Sequence, residues 1–89
     1  MTLEELKTKL CDDGYEMAVV LENPDYAEAA VGVTDNGKVV YDFGLMVEHL
    51  VSKDGMSYEE AVEFIEYNTL RAIPYFGENA PIVMFRFEE

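Results

Sequence analysis

The sequence predicts an α+β domain: a two-layer fold with a mostly antiparallel four-stranded sheet and three helices on one face, in the order α-β-β-β-α-α-β. Three observations carry that prediction. Thr2 with Glu5 and Ser57 with Glu60 are capping-box spacings, each followed by apolar residues at helical intervals. Residues 15–22 alternate apolar and mixed positions with the period of a strand. Asp35-Asn36-Gly37 separates two runs rich in valine, a hairpin signal. Strands grouped ahead of helices indicate α+β layering, and 89 residues allow a single core, so residues 1–89 form one domain.

The elements follow in order. Leu3, Leu6 and Leu10 mark a first helix over about residues 2–13, with Glu5 and Lys9 as an i,i+4 pair and Asp12-Asp13-Gly14 ending it. Tyr15, Met17, Val19 and Leu21 give the first strand its inner face, and Asn23-Pro24-Asp25 breaks it. The second strand is expected over 26–34 and the third over 38–43. A three-residue loop with Gly37 left-handed pairs Thr34 with Lys38. It places Val33 with Val39, Val31 with Tyr41 and Ala29 with Phe43 on one face, whereas a two-residue turn would split these apolar residues between faces.

Leu45, Met46, Val47, Leu50 and Val51 indicate a short second helix capped by Asp42 and ended by Asp54-Gly55. The third helix opens at Ser57, buries Tyr58, Ala61, Val62 and Ile65, and stops near Ala72 because Pro74 disfavours helix at Ile73. A loop over 75–80 leads to a last strand over 81–87, with Val83, Phe85 and Phe87 inward and Arg86 outward.

Charge narrows the function classes. Nineteen acidic residues face six basic ones, a formal charge of -13, in a chain that is 49% hydrophobic. That composition folds, but it repels itself. The six cations are scattered, which argues against direct binding to nucleic acid or anionic membrane. One cysteine, Cys11, excludes an internal disulfide and a CxxC metal site. The first ten residues lack the apolar run of a signal peptide and no stretch is long enough to span a bilayer, so a cytoplasmic setting is expected.

No catalytic, cofactor or metal site is read from the motifs, and no enzyme activity is expected. Aligning Glu60 with the last ligand of a calcium loop puts His49, Val51 and Lys53 where oxygen donors are required. His49 has no nucleophile or triad partner in view, and a structural or solvated role is expected for it. Asp12-Asp13 and Glu88-Glu89 read as solvated ends. The acidic stripe Glu59, Glu63, Glu66 has no lysine on its helix to offset it. It is either a solvated face or a surface whose repulsion is relieved by a basic partner. Residues 67–81 are dense in Tyr, Asn and Pro around Arg71 and Tyr75, which are interface-type residues. The alternative is structural: Arg71 on the helix C-terminal dipole, Asn68 on nearby backbone, and the rings packed under the loop. Val40, Ile82, Met84 and Tyr26 are expected on the outer sheet face as an apolar patch for dimerisation.

Residues 54–85, with the acidic helix, the Tyr67-Asn68-Thr69-Leu70-Arg71-Ala72-Ile73-Pro74-Tyr75 turn and the Asn79-Ala80-Pro81 strand start, resemble a family of small uncharacterised acidic proteins of gut Firmicutes and their prophages and mobile elements. The resemblance covers about residues 42–85. It implies an accessory, phage-linked role and supplies no catalytic or binding residues. Two functions are expected from these readings. One is a non-enzymatic module engaging a basic protein surface through Glu59, Glu63, Glu66, Arg71 and Tyr75, for instance an inhibitor mimicking nucleic-acid charge. The other is a structural homodimer formed through the outer sheet face.

Overall fold

Thr2 caps α1 (Leu3–Asp12) as its spacing requires. The Glu5 N–H donates to Thr2 Oγ1 at 3.1 Å and the Thr2 N–H donates to Glu5 Oε1 at 2.8 Å. The computed structural model in which this is seen describes residues 1–87, so the Glu88-Glu89 pair lies outside the described residues. Beyond α1 the expected first strand is absent. Residues 15–21 are turns and irregular chain because their donors are taken elsewhere. The N–H of Tyr15 goes to Leu10 O in the helix cap, that of Ala18 to Tyr15 O, and that of Val19 to Asn79 O. The N–H of Leu21 goes to Tyr41 Oη at 3.0 Å. Met17, expected inward, is exposed.

The sheet has three strands, not four: β1 (Ala30–Val33), β2 (Val39–Asp42) and β3 (Ile82–Met84), in that spatial order. Residues 27–29, expected in the second strand, instead form a 3-10 turn whose first N–H is held by Asp25 Oδ1 at 2.9 Å. The hairpin loop has the three residues predicted. The Thr34 N–H donates to Lys38 O at 2.8 Å, Gly37 takes φ +83°, and Val33 lies opposite Val39. A side chain at Gly37 would be strained by that φ and would meet the Tyr15 ring at 2.9 Å. Gly32 still pairs with Val40, and beyond it the expected register fails. Val31 is an extra residue in β1, so Ala30 rather than Val31 faces Tyr41, the shift that a bulge introduces. Val31 and Val33 are exposed on this edge strand, and Phe43 has left the sheet for α2.

β2 and β3 pair in parallel, Val40 with Ile82 and Tyr41 with Val83, so the sheet has one antiparallel and one parallel pair. The connection permits this. The chain leaves β2 into two helices and returns alongside it, a crossover that parallel neighbours need. Asp42 starts that crossover. Its Oδ1 accepts from the Leu45 N–H at 3.1 Å, capping α2 (Phe43–Asp54), which begins two residues before the first apolar residue expected in it. Gly44 leaves room for the carboxylate, since a Cβ there would lie 3.2 Å from Oδ1. Gly55, left-handed at φ +68°, ends α2, and the Met56 N–H returns to Leu50 O.

Ser57 opens α3 (Tyr58–Phe64) with the second capping box. The same helical run then widens into a π-helical segment, Ile65–Leu70, and a 3-10 turn, Ile73–Phe76, carries Pro74. β3 stops at Met84. Phe85 and Phe87, expected inward, face solvent, and Arg86, expected outward, reaches back so that its Nε donates to Asp42 Oδ2. Phe43 and Phe85 stack beside that pair at 4.6 Å. One cluster joins Leu6 and Leu10 of α1, Val39 and Tyr41 of β2, Met46, Val47 and Leu50 of α2, and Ala61 and Ile65 beyond it. The α+β class therefore stands, with a smaller sheet.

Asp42→Ala removes a helix cap and the buried anchor of Arg86, and should cost about 1–3 kcal/mol by urea denaturation. Asp42→Asn keeps an oxygen for the Leu45 N–H and should cost less. A second expectation concerns acid. Hydrogen bonds from the Thr2 and Ser57 backbone, then from their side chains, hold Glu5 and Glu60 below the usual glutamate range. A depressed folded-state value adds stability that is full above the ordinary glutamate pKa and is lost as pH falls through the lowered one. The pH dependence of melting temperature should therefore flatten on that acid limb in the Glu5→Gln, Glu60→Gln double variant.

Candidate functional site

The second capping box sets the phase of the acidic helix. Glu60 is tied to Ser57, its Oε1 accepting from the Ser57 N–H at 2.9 Å, and so faces its own helix end. Glu59, Glu63 and Glu66 are exposed. Among the described residues no cation lies within ion-pair distance of them. Elsewhere acids have partners: Lys7 with Glu22 at 2.7 Å, Lys9 with Asp13 at 3.4 Å, and Arg86 with Asp42. Lys9 thus pairs with Asp13, not with the expected Glu5. Residues 43–70 contain six carboxylates and one lysine.

The π-helical segment alters the predicted stripe. Its i→i+5 bonding puts more residues into each turn, so Glu66 is rotated away from the line that an α-helix would draw through Glu59 and Glu63. Arg71 lies over the Tyr67 ring at 4.7 Å, and Tyr75 is 88% exposed. Tyr67 and Tyr75 are both exposed, so these rings do not pack under the loop, although Asn68 Nδ2 does donate to Phe64 O at 3.1 Å as expected. No hydrogen bond or ion pair among the described residues joins Arg71 or Tyr75 to the three glutamates.

Two surfaces escaped the sequence reading in part. An open groove of about 920 Å³ runs along the outer side of α2, lined by Phe43, Val47, Val51, Tyr58 and Phe85, with the Asp42–Arg86 pair in its wall. Val47 and Val51, four apart on a helix, were its only local signal. On the outer sheet face Ile82 is exposed and Val40 and Met84 are half-buried, but Tyr26 is not there. It is fully buried in the core.

Tyr26 and His49 form the least expected feature. Their rings meet edge to face at 5.8 Å. The Tyr26 hydroxyl sits against Thr69 without completing a hydrogen bond, and burial pushes the phenol pKa up. His49 Nδ1 is also buried without a hydrogen bond, 3.4 Å from Glu28 Oε1. His49 is half-buried, packed on Tyr26 with its Nδ1 beside Glu28, a structural position. Tyr41 is the contrast: equally buried, its pKa also raised by burial, but with its oxygen accepting the Leu21 N–H. Among the described residues no group of three or more His, Cys, Asp or Glu is placed to hold a metal ion. No helix of the described residues is long and apolar enough to cross a membrane.

The two tyrosines should respond oppositely to loss of the hydroxyl. Tyr26→Phe removes an unmatched buried polar group and should be neutral or stabilise by about 1 kcal/mol. Tyr41→Phe strands the Leu21 N–H and should destabilise by about 1–3 kcal/mol. Urea midpoints at constant m-value measure both. Comparison with family models, curated proteins and solved structures finds no match for this chain, so its function is argued from the geometry above.

Proposed function

We propose that this protein is a non-enzymatic acidic module that engages a basic protein surface through Glu59, Glu63 and Glu66, with Arg71 and Tyr75 at the far end of the same helical stretch. The observation that carries this reading is three exposed carboxylates on one helical run with no cation among the described residues within ion-pair distance of them. Like charges three and four apart cost a helix a few tenths of a kcal/mol per pair. A partner's lysines and arginines would relieve that repulsion and be steered by it. In its concrete form the module is an inhibitor that occupies a nucleic-acid-binding groove by presenting carboxylates in place of phosphates, one version of the accessory, phage-linked role that the family resemblance implies. A second reading, a homodimer through the outer sheet face, draws on the exposed Ile82 between half-buried Val40 and Met84. Light scattering over a concentration series separates the two.

The test is the triple variant Glu59→Gln, Glu63→Gln, Glu66→Gln against a fluorescent Lys/Arg-rich peptide over a salt series. The variant should bind at least about tenfold more weakly, with a shallower salt dependence. In isolation it should melt at a higher temperature, because the repulsion has been removed. Unchanged affinity would overturn the reading.

A further inference from the structure

The sheet ends in two edge strands, and they are not alike. β1 carries the bulge at Val31, one of the devices that blunt an edge, and Glu28 and Asp35 flank it in sequence. β3 pairs with β2 in continuous register, Ile82 to Met84 against Val40 to Asp42, with no bulge. Among the described residues no backbone hydrogen bond joins Ile82, Val83 or Met84 to any segment other than β2. The outer side of β3 therefore presents unpaired amide and carbonyl groups, the template on which another strand builds. No lysine guards it, and its one nearby cation, Arg86, is turned back to Asp42.

Charge selects the occupant of that edge. Residues 67–87 hold one of the nineteen carboxylates, Glu78, and two of the six cations, Arg71 and Arg86. A basic partner finds nothing to attract it along 79–87, which has no carboxylate and one arginine. A second copy of the chain meets the opposite situation. Two molecules of charge -13 repel each other, and a carboxylate-free stretch is where they approach at least cost. The second copy also brings the complementary groups, an edge strand with its own unpaired amides and carbonyls. Ile82, Phe85 and Phe87 are exposed beside the edge, apolar surface that such a pairing would cover.

We propose that β3 pairs with β3 of a second copy, antiparallel about Val83, joining the two three-stranded sheets into one. Pro81, which has no N–H, bounds the strand at its start, and the register about Val83 uses all three residues of both strands. Val83 then faces its own counterpart on the inner side of the sheet, where it packs on the core, and Ile82 faces Met84 on the outer side. The two Arg86 residues lie roughly 20 Å apart along the pair, beyond the screening length at ordinary salt. The contact is the same patch on both molecules, so it closes at two. Strands this short exchange few hydrogen bonds, and the dimer is weak, with a Kd on the order of 100 µM. The homodimer is the second reading above, on which this pairing rests, with its contact moved from the sheet face to the sheet edge. The α3 surface plays no part in it.

Sedimentation velocity of the full-length protein, from about 10 µM to about 1 mM and at about 0.1 and 0.5 M sodium chloride, reads the dimer. A monomer–dimer equilibrium is expected. It should tighten as salt rises, because screening relieves the repulsion between two acidic chains, whereas capture of a basic peptide weakens with salt. Ile82→Lys reduces the net negative charge yet guards the edge, and should weaken dimerisation at least about tenfold. Cross-linking locates the contact. In a Cys11→Ser background, Val83→Cys should give an intermolecular disulfide with oxidised glutathione, since directly opposed residues of an antiparallel pair lie within bridging distance. Val31→Cys, exposed on the other edge, should not. A chain that stays monomeric at about 1 mM in high salt overturns the edge contact and the homodimer reading together. A dimer in which a Val83→Cys variant, folded by circular dichroism, cross-links no faster than Val31→Cys overturns the edge contact alone and leaves the outer sheet face. Dimerisation that loosens with salt, or that Ile82→Lys leaves unchanged, also overturns the edge contact. So does a monomeric chain whose β3 amides shift with a Lys/Arg-rich peptide, which would assign the edge to a strand of a basic partner.

Discussion

Asp42 holds this fold together at the point where its layers meet. The residue is the last of β2 and the cap of α2, and its second oxygen takes the guanidinium of Arg86 beyond the end of β3. A buried carboxylate left without partners is among the costliest groups in a small core. Here one partner is the nearby Leu45 N–H and the other is Arg86, 44 residues away from Asp42 in sequence. Satisfying the one carboxylate fixes the angle at which the helix leaves the sheet and the place to which the chain returns. The stacked Phe43 and Phe85, each one residue from the ion pair, form a second rung of the same strap. Arg86 stays two-thirds exposed, so it keeps most of its hydration while neutralising the buried charge.

Sequence reading works here where structure is decided locally. Thr2, Ser57, Asp42 and Gly55 cap what they should cap, because a cap needs only residues three or four apart. The three-residue hairpin loop is legible for the same reason. Residues 15–21 are not, because their alternation is ambiguous until one knows that Tyr41 and Asn79 take their amide donors. The parallel pairing of β3 was not legible in the β-α-α-β order, because a connection through two helices can return the chain to either end of the sheet. The bulge at Val31 and the π-helical segment leave no comparable trace in composition or spacing.

The candidate surfaces divide along the same line. The exposed glutamates of α3 follow from helical phase alone, up to the displacement of Glu66. Arg71 stands at the C-cap of the π-helical segment and lies over the ring of Tyr67, four positions back, an i,i+4 contact that periodicity permits. The pairing of Tyr26 with His49 depends on the segment after the 23–25 turn and α2 meeting in space. No local pattern encodes that meeting. What the sequence offered was only that the chain's one histidine had no recognisable partner.

The uneven pairing of charge also gives the molecule a direction. Two of the lysines sit on α1 and are engaged with acids near it, while residues 43–70 carry six carboxylates against Lys53. A net charge spread evenly would attract a positive body from any side. A lopsided one also exerts a torque, turning the protein during approach so that its more acidic side leads. Orientation is then selected while the two bodies are still separated by solvent, within roughly 10 Å at ordinary salt. Productive encounters become more frequent without any added contact in the final complex, and that advantage fades as ionic strength rises.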